Sequence, residues 1–251
     1  DRVRTIAVTQ DGRRAIMGGK DSVRIWDLGT GHTGPVLSGH KGTVLTVAVT
    51  PDGERAITSG QDQTVCIWNL DKGTIESVLT GHEGWVFALA VTPDGQRAVS
   101  GGLDEALRVW NLETGMTERL LTGHADWVRA VAMMPDGKQV ISGVDDGTLR
   151  IWNLDAGTIE YTLSGHEGWI WAVTVTQDGR LALSGGEDGM LRLWNLDTRK
   201  VRHAIMGHFG GVYTFALTPD EQLAVSGGYD RAVRLWSLDK GQELSSASFD
   251  A

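Results

Sequence analysis

Cysteine is all but missing from this sequence. Cys66 is the single example among 251 residues, which excludes an intramolecular disulfide and a cysteine-rich zinc site. Proline is also scarce, at five residues. No apolar run approaches the ~18 residues of a membrane-spanning helix, and the opening residues carry no signal-peptide pattern. Asn69, Asn111, Asn153 and Asn195 are each followed by Leu and then an acid, so no glycosylation sequon exists. A net basic charge is lacking too: the formal charge is −9 and the pI about 5.2. That weighs against nucleic acid or an anionic membrane as partner, since basic patches meet both. Together these features point to a reducing, cytoplasmic compartment.

What is present is periodic. Trp26, Trp68, Trp110, Trp152, Trp194 and Trp236 recur every 42 residues. Gly39-His40, Gly81-His82, Gly123-His124, Gly165-His166 and Gly207-His208 keep the same step, and the register reads as free of insertions and deletions. The whole chain, residues 1–251, is therefore one repeat array. Its units run over about 1–39, 40–81, 82–123, 124–165, 166–207 and 208–251. The chain opens inside a repeat and without an initiator Met, and we read it as a piece of a longer protein. A period of 40–45 residues with these two markers is the signature of a β-propeller blade.

Each repeat reads as four short strands. In the second, Thr43–Thr50 is β-branched with apolar positions near period 2. Thr50-Pro51-Asp52-Gly53 follows as a turn, repeated at Thr92–Gly95 and Met134–Gly137. Pro presets φ there, Asp bonds its own turn backbone and Gly accepts positive φ. Arg55–Gly60, Thr64–Leu70 and Ile75–Thr80 supply the other strands, with a turn glycine at Gly73. Gly31, Gly115, Gly157 and Gly241 repeat that glycine, but Arg199 takes its place in the fifth repeat. Turn signals every 8–12 residues without a helical period predict an all-β chain. One such meander cannot bury both faces alone, and radial packing of several sheets solves this. The expected fold is a six-bladed β-propeller of four-stranded antiparallel blades.

Five polar quartets share one spacing: His40/Thr58/Asp62/Trp68, His82/Ser100/Asp104/Trp110, His124/Ser142/Asp146/Trp152, His166/Ser184/Asp188/Trp194 and His208/Ser226/Asp230/Trp236. This pattern resembles the WD-repeat family, known as WD40, over the whole chain. Only Trp26-Asp27 carries the literal Trp-Asp pair. The resemblance implies a buried relay from indole N–H to hydroxyl, hydroxyl to imidazole and imidazole to carboxylate. Ser, His and Asp also make a hydrolase triad, but five near-identical active sites in one ring would be without purpose. The Trp would also engage the hydroxyl that a nucleophile needs free. The quartets read as architecture.

At the 42-residue step the first repeat has Ile16 at the hydroxyl position and Lys20 at the Asp position, with no His. It is expected to be the loosest blade and the seam. Arg24, Arg108, Arg150, Arg192 and Arg234 form a column two residues before each Trp, with Cys66 in the second repeat. We read the column as pairing with turn carboxylates and Cys66 as unreactive.

In the family, partners dock on one narrow face through three positions per blade. On this chain those positions are Trp85, Phe87 and Leu103; Trp127, Arg129 and Asp145; Trp169, Trp171 and Glu187; and Tyr213 and Tyr229. Val3, Thr43, Leu45 and Gln61 occupy them in the first two repeats. All four tryptophans beyond the blade markers fall there, and aromatics beside an Arg have the composition of a binding hot spot. The expected function is a non-enzymatic scaffold or sensor that binds protein or peptide as a monomeric ring. The alternative is a glycan- or small-ligand-binding propeller, since Asp145 and Glu187 could contact sugar hydroxyls. No phosphate-cradling Gly-x-x-x-x-Gly-Lys loop is present. His32 and His203 lack partners at metal-ligand spacing, so we expect no catalysis, metal or cofactor. The similarity of neighbouring repeats resembles arrays in bacterial, especially cyanobacterial, multidomain signalling proteins.

Overall fold

A computed structural model describes residues 2–249; positions 1, 250 and 251 of the expected array lie outside the described residues. Every regular element among them is a β-strand, and every described strand pairing is antiparallel. The first seven strands form one continuous sheet in sequence order. Its fourth strand, Thr33–Val49, serves both as the outer strand of the first repeat and as the inner strand of the second. Each of the remaining four repeats forms its own four-stranded meander. The expected strands hold within a residue or two: Arg55–Gly60, Val65–Asn69 and Thr74–Leu79 in the second repeat. The chain divides into two compact units between Val128 and Arg129.

The turns form for the reason the sequence suggests. Thr50 Oγ1 donates to Asp52 Oδ1 at 2.6 Å, and Asp52 accepts the Glu54 N–H at 2.9 Å. The Arg55 N–H returns to Thr50 Oγ1 at 3.0 Å, which closes the hairpin. Gly53 lies at φ 72°, which L side chains rarely adopt. At the second turn, Arg199 takes φ 57° where the other repeats place glycine. Its guanidinium lies 4.4 Å from the Tyr161 ring centroid, an attraction that offsets part of the left-handed strain.

Neighbouring sheets share their cores in one manner. In the first unit Ile57, Val65, Ile67 and Leu79 of one sheet pack with Val86, Ala98, Trp110 and Leu112 of the next. In the second unit Ile141, Leu149, Ile151 and Leu163 meet Ile170, Ala182, Trp194 and Leu196. Trp68, Trp110, Trp194 and Trp236 thus rest on the preceding sheet.

The structure corrects the alignment of the first repeat. Ala15, Ile16 and Met17 pair with Trp26, Ile25 and Arg24, as Ala56, Ile57 and Thr58 pair with Trp68, Ile67 and Cys66. The hydroxyl position is therefore Met17, and Ile16 is a core residue equivalent to Ile57. The hairpin between the second and third strands is one residue short, so the register does contain a deletion. Gly12 stands 14 residues before Trp26, whereas Gly53 stands 15 before Trp68. Trp26 is 37% exposed, whereas the other five marker tryptophans are buried.

Candidate recognition surface

The polar quartets occupy the sheet interiors. Trp68 Nε1 donates to Thr58 Oγ1 at 2.7 Å, and Thr58 Oγ1 lies 2.7 Å from His40 Nε2. His40 Nδ1 in turn lies 2.9 Å from Asp62 Oδ2. The second quartet repeats these contacts through Ser100, with His82 and Asp104, at 2.7, 2.7 and 2.8 Å. The His166 and His208 quartets repeat them through Ser184 and Ser226, with 2.8 Å from indole to hydroxyl. The indole fills the hydroxyl's acceptor side, so the hydroxyl hydrogen points to Nε2 and the imidazole is the Nδ1–H tautomer. The third quartet, His124/Ser142/Asp146/Trp152, is divided between the units. Trp152 Nε1 reaches Ser142 Oγ at 3.2 Å in one, and His124 Nδ1 reaches the Glu105 carbonyl at 3.2 Å in the other. Asp146 there binds Thr148 and Arg150.

Ser100, Ser184 and Ser226 are candidate residues only as relay members, and burial sets them apart from the rim positions. All three are buried to 1% exposure or less, as are Thr58 and Ser142. No partner or substrate reaches these hydroxyls, because an indole closes one side and, in the three serine quartets just named, an imidazole closes the other. They hold the sheets and belong to no open binding or catalytic site.

Burial is the largest influence on the relay carboxylates and opposes their ionisation. Donors outweigh it. His166, the Glu167 N–H and the Met190 N–H hold the Asp188 carboxyl well below the usual range, and His208 and Arg234 do the same for Asp230. Asp62 and Asp104 are lowered in the same way. Each carboxylate also accepts a backbone N–H from the loop after its His, as at Lys41 and Phe209. The relay therefore pins the loops that border the inner strands.

The arginine column pairs with the relay aspartates at Arg150–Asp146, Arg192–Asp188 and Arg234–Asp230, all 2.7 Å. Arg108 departs from that expectation by donating to the Gly81 carbonyl. Where Cys66 replaces arginine, the Thr64 hydroxyl donates to Asp62 at 2.9 Å. Burial pushes the Cys66 thiol up to about 12, so it carries little thiolate.

The aromatic positions form organised surfaces. In the second unit they join into an arc. Arg129 holds Asp145 with two N–H···O bonds of 2.8 and 2.9 Å, and its guanidinium lies 4.9 Å from the Trp169 ring centroid. Trp169 meets Trp171 at 6.3 Å, Trp171 stacks on Tyr213 at 4.6 Å and 25°, and Tyr213 meets Tyr229 edge-on at 6.3 Å. In the first unit Trp85 and Phe87 meet edge-on at 6.2 Å.

Trp85, Trp127, Trp169, Glu187, Tyr213 and Tyr229 are exposed as expected, and Arg129 is half-buried. Other positions differ. Asp145 is buried rather than offered to solvent, because its carboxylate is committed to Arg129. Trp171 is half-buried, because Tyr213 covers one ring face. Phe87 is half-buried beside Trp85, and Leu103 is half-buried where its Cβ would lie 2.6 Å from any Cβ at residue 84.

Two residues escaped the sequence reading. A Cβ at Gly211 would sit 1.6 Å from the Trp171 ring, so only glycine admits the indole. Phe209 is 80% exposed on the loop whose backbone binds Asp230, the residue after Tyr229. Its signal was present: Lys41, Glu83, Ala125 and Glu167 hold that place in the other repeats.

The family model described as WD domain, G-beta repeat matches residues 30–69, 73–111, 115–153, 157–195 and 199–237. The chain belongs to the WD40-repeat family. A search of curated proteins returned no match. WD40 repeats generally mediate protein–protein scaffolding and are typically not enzymes. The match begins only after Trp26, in keeping with the shortened hairpin and the missing hydroxyl of the first repeat.

Proposed function

We propose that this WD40 chain is a non-enzymatic scaffold of six blades, one per repeat, that recognises protein or peptide through the aromatic arc. The observation that carries this reading is the unbroken succession Arg129, Trp169, Trp171, Tyr213, Tyr229, in which exposed Trp169, Tyr213 and Tyr229 and half-buried Trp171 hold each other in place. Rigid aromatics with one pre-positioned guanidinium bind at low entropic cost, and such residues dominate interface hot spots. Asp145 supplies the pre-positioning. The glycan reading loses one of its two acids, because Asp145 faces Arg129 and not solvent.

Selection from a displayed peptide library, repeated on a Trp169→Ala/Tyr213→Ala double variant, tests the reading. Wild type should enrich a sequence class that the variant does not, with both proteins melting alike. Failure to enrich any class, together with saturable binding on a glycan array, would favour the sugar-binding alternative.

A further inference from the structure

The fourth and fifth repeats place an acid at the same point of the arc, but only the fourth supplies its cation. There Arg129 on the inner strand and Asp145, 16 residues later, pair through bonds of 2.8 and 2.9 Å, and Asp145 is 7% exposed. One repeat on, the two places hold Trp171 and Glu187. Gln61, Leu103 and Tyr229 fill the acid's place in the second, third and sixth repeats. Glu187 thus keeps the carboxylate and lacks the arginine that covers its neighbour. It is exposed and has no ion-pair partner among the described residues. Arg192, the nearest arginine in sequence, is committed to Asp188 at 2.7 Å.

The backbone holds this carboxylate beside the rings. The Glu187 N–H donates to the Trp169 carbonyl at 2.8 Å, and a Cβ at Gly168 would lie 2.8 Å from Glu187 Oε2. Trp171 extends over Gly211 and stacks on Tyr213, just as Arg129 extends over Trp169. Ring faces and a carboxylate both attract a cation, and the chain's net charge of −9 has the same effect at longer range. Arg129 brings little opposing charge, because Asp145 cancels it. Arg231 belongs to the outer side of its sheet: its carbonyl accepts the Phe249 N–H, whereas the Tyr229 N–H donates to Gly211 on the inner side.

We infer that the partner of the arc is a peptide that supplies the missing guanidinium. An arginine side chain of that peptide pairs its N–H fork with Glu187 and lays its plane against the neighbouring rings. Arg129 assigns this occupant, since it makes both contacts at once, to Asp145 and to Trp169. Arginine suits the place better than lysine, whose ammonium offers neither a planar fork nor a stacking face. The inference rests on the arc being the recognition surface and names what that surface reads.

The test extends the displayed-peptide selection. Synthetic copies of an enriched peptide carry citrulline, the neutral isostere, or lysine at each arginine in turn. Fluorescence anisotropy then titrates them against wild type and Glu187→Gln, with equal melting temperatures as the check on folding. One arginine should stand out, where citrulline weakens binding by about tenfold or more and lysine also weakens it. Glu187→Gln should cost the arginine peptide a similar factor and leave the citrulline peptide unaffected. An enriched class without arginine, equal affinity of the arginine peptide and either substitute, or equal loss of both peptides on Glu187→Gln overturns this inference and leaves the recognition reading in place. A selection that enriches no class overturns both.

Discussion

Replacing Thr58 with valine should cost about 3 kcal/mol of stability, although the two side chains have nearly the same shape. Thr58 is fully buried, and its hydroxyl accepts the Trp68 indole N–H and faces His40 Nε2, both at 2.7 Å. Valine fills the same space, so no cavity forms, but it leaves a donor and an acceptor without partners away from water. Each orphaned group costs roughly 1–3 kcal/mol. In a chain of this size the sum lowers Tm by about 6–12 °C. Thr58→Ser is the counterpart, since it keeps the hydroxyl and removes one methyl, at about 1 kcal/mol. Equilibrium urea unfolding followed by circular dichroism reads both, with the slope m checked for constancy. If Thr58→Val is no less stable than Thr58→Ser, the relay contributes nothing beyond packing and the argument for its structural role fails.

Three further outcomes follow from the geometry. The relay aspartates have carboxyls held below their ordinary value of 3.8, so they stabilise the fold fully above that value and lose the contribution as pH falls through it toward the folded value. Asp188→Asn should flatten this acid limb of the stability curve, and an unchanged limb would show that Asp188 is not among the groups responsible. Cys66, with its thiol at about 12, should resist a thiol reagent at about pH 8 in the native state and react once urea unfolds the chain; rapid native labelling would contradict its burial. Gly211→Ala should displace Trp171 from Tyr213, weakening the near-ultraviolet circular dichroism and costing about 1–3 kcal/mol; an unaltered near-ultraviolet spectrum would refute the close approach.

Much of the site was legible because a repeat reports its own exceptions. The quartets, the Thr-Asp turns and the aromatic positions recur at a fixed step, so chemistry at one repeat speaks for the others. Asp145 misled for a physical reason. Its place before a relay Asp is a rim position, but only the fold brings the Arg129 guanidinium to 2.8 Å from it and removes it from solvent. Trp171 misled likewise, since the covering Tyr213 lies a whole repeat away. The shortened first hairpin could have been read from the 14-residue spacing of Gly12 and Trp26, but the constant step between tryptophans conceals it.

By itself the sequence determined the repeating unit: four antiparallel strands, their turns and a polar quartet, all set by contacts within a few dozen residues. Those choices depend on local backbone preference and on period-2 burial, which each repeat carries in full. Tertiary structure alone decided which copies of the same residue are buried. Asp145 and Glu187 hold the same place in neighbouring repeats, yet one is enclosed and the other open, because burial of a side chain depends on which group the fold brings to it and not on its own strand.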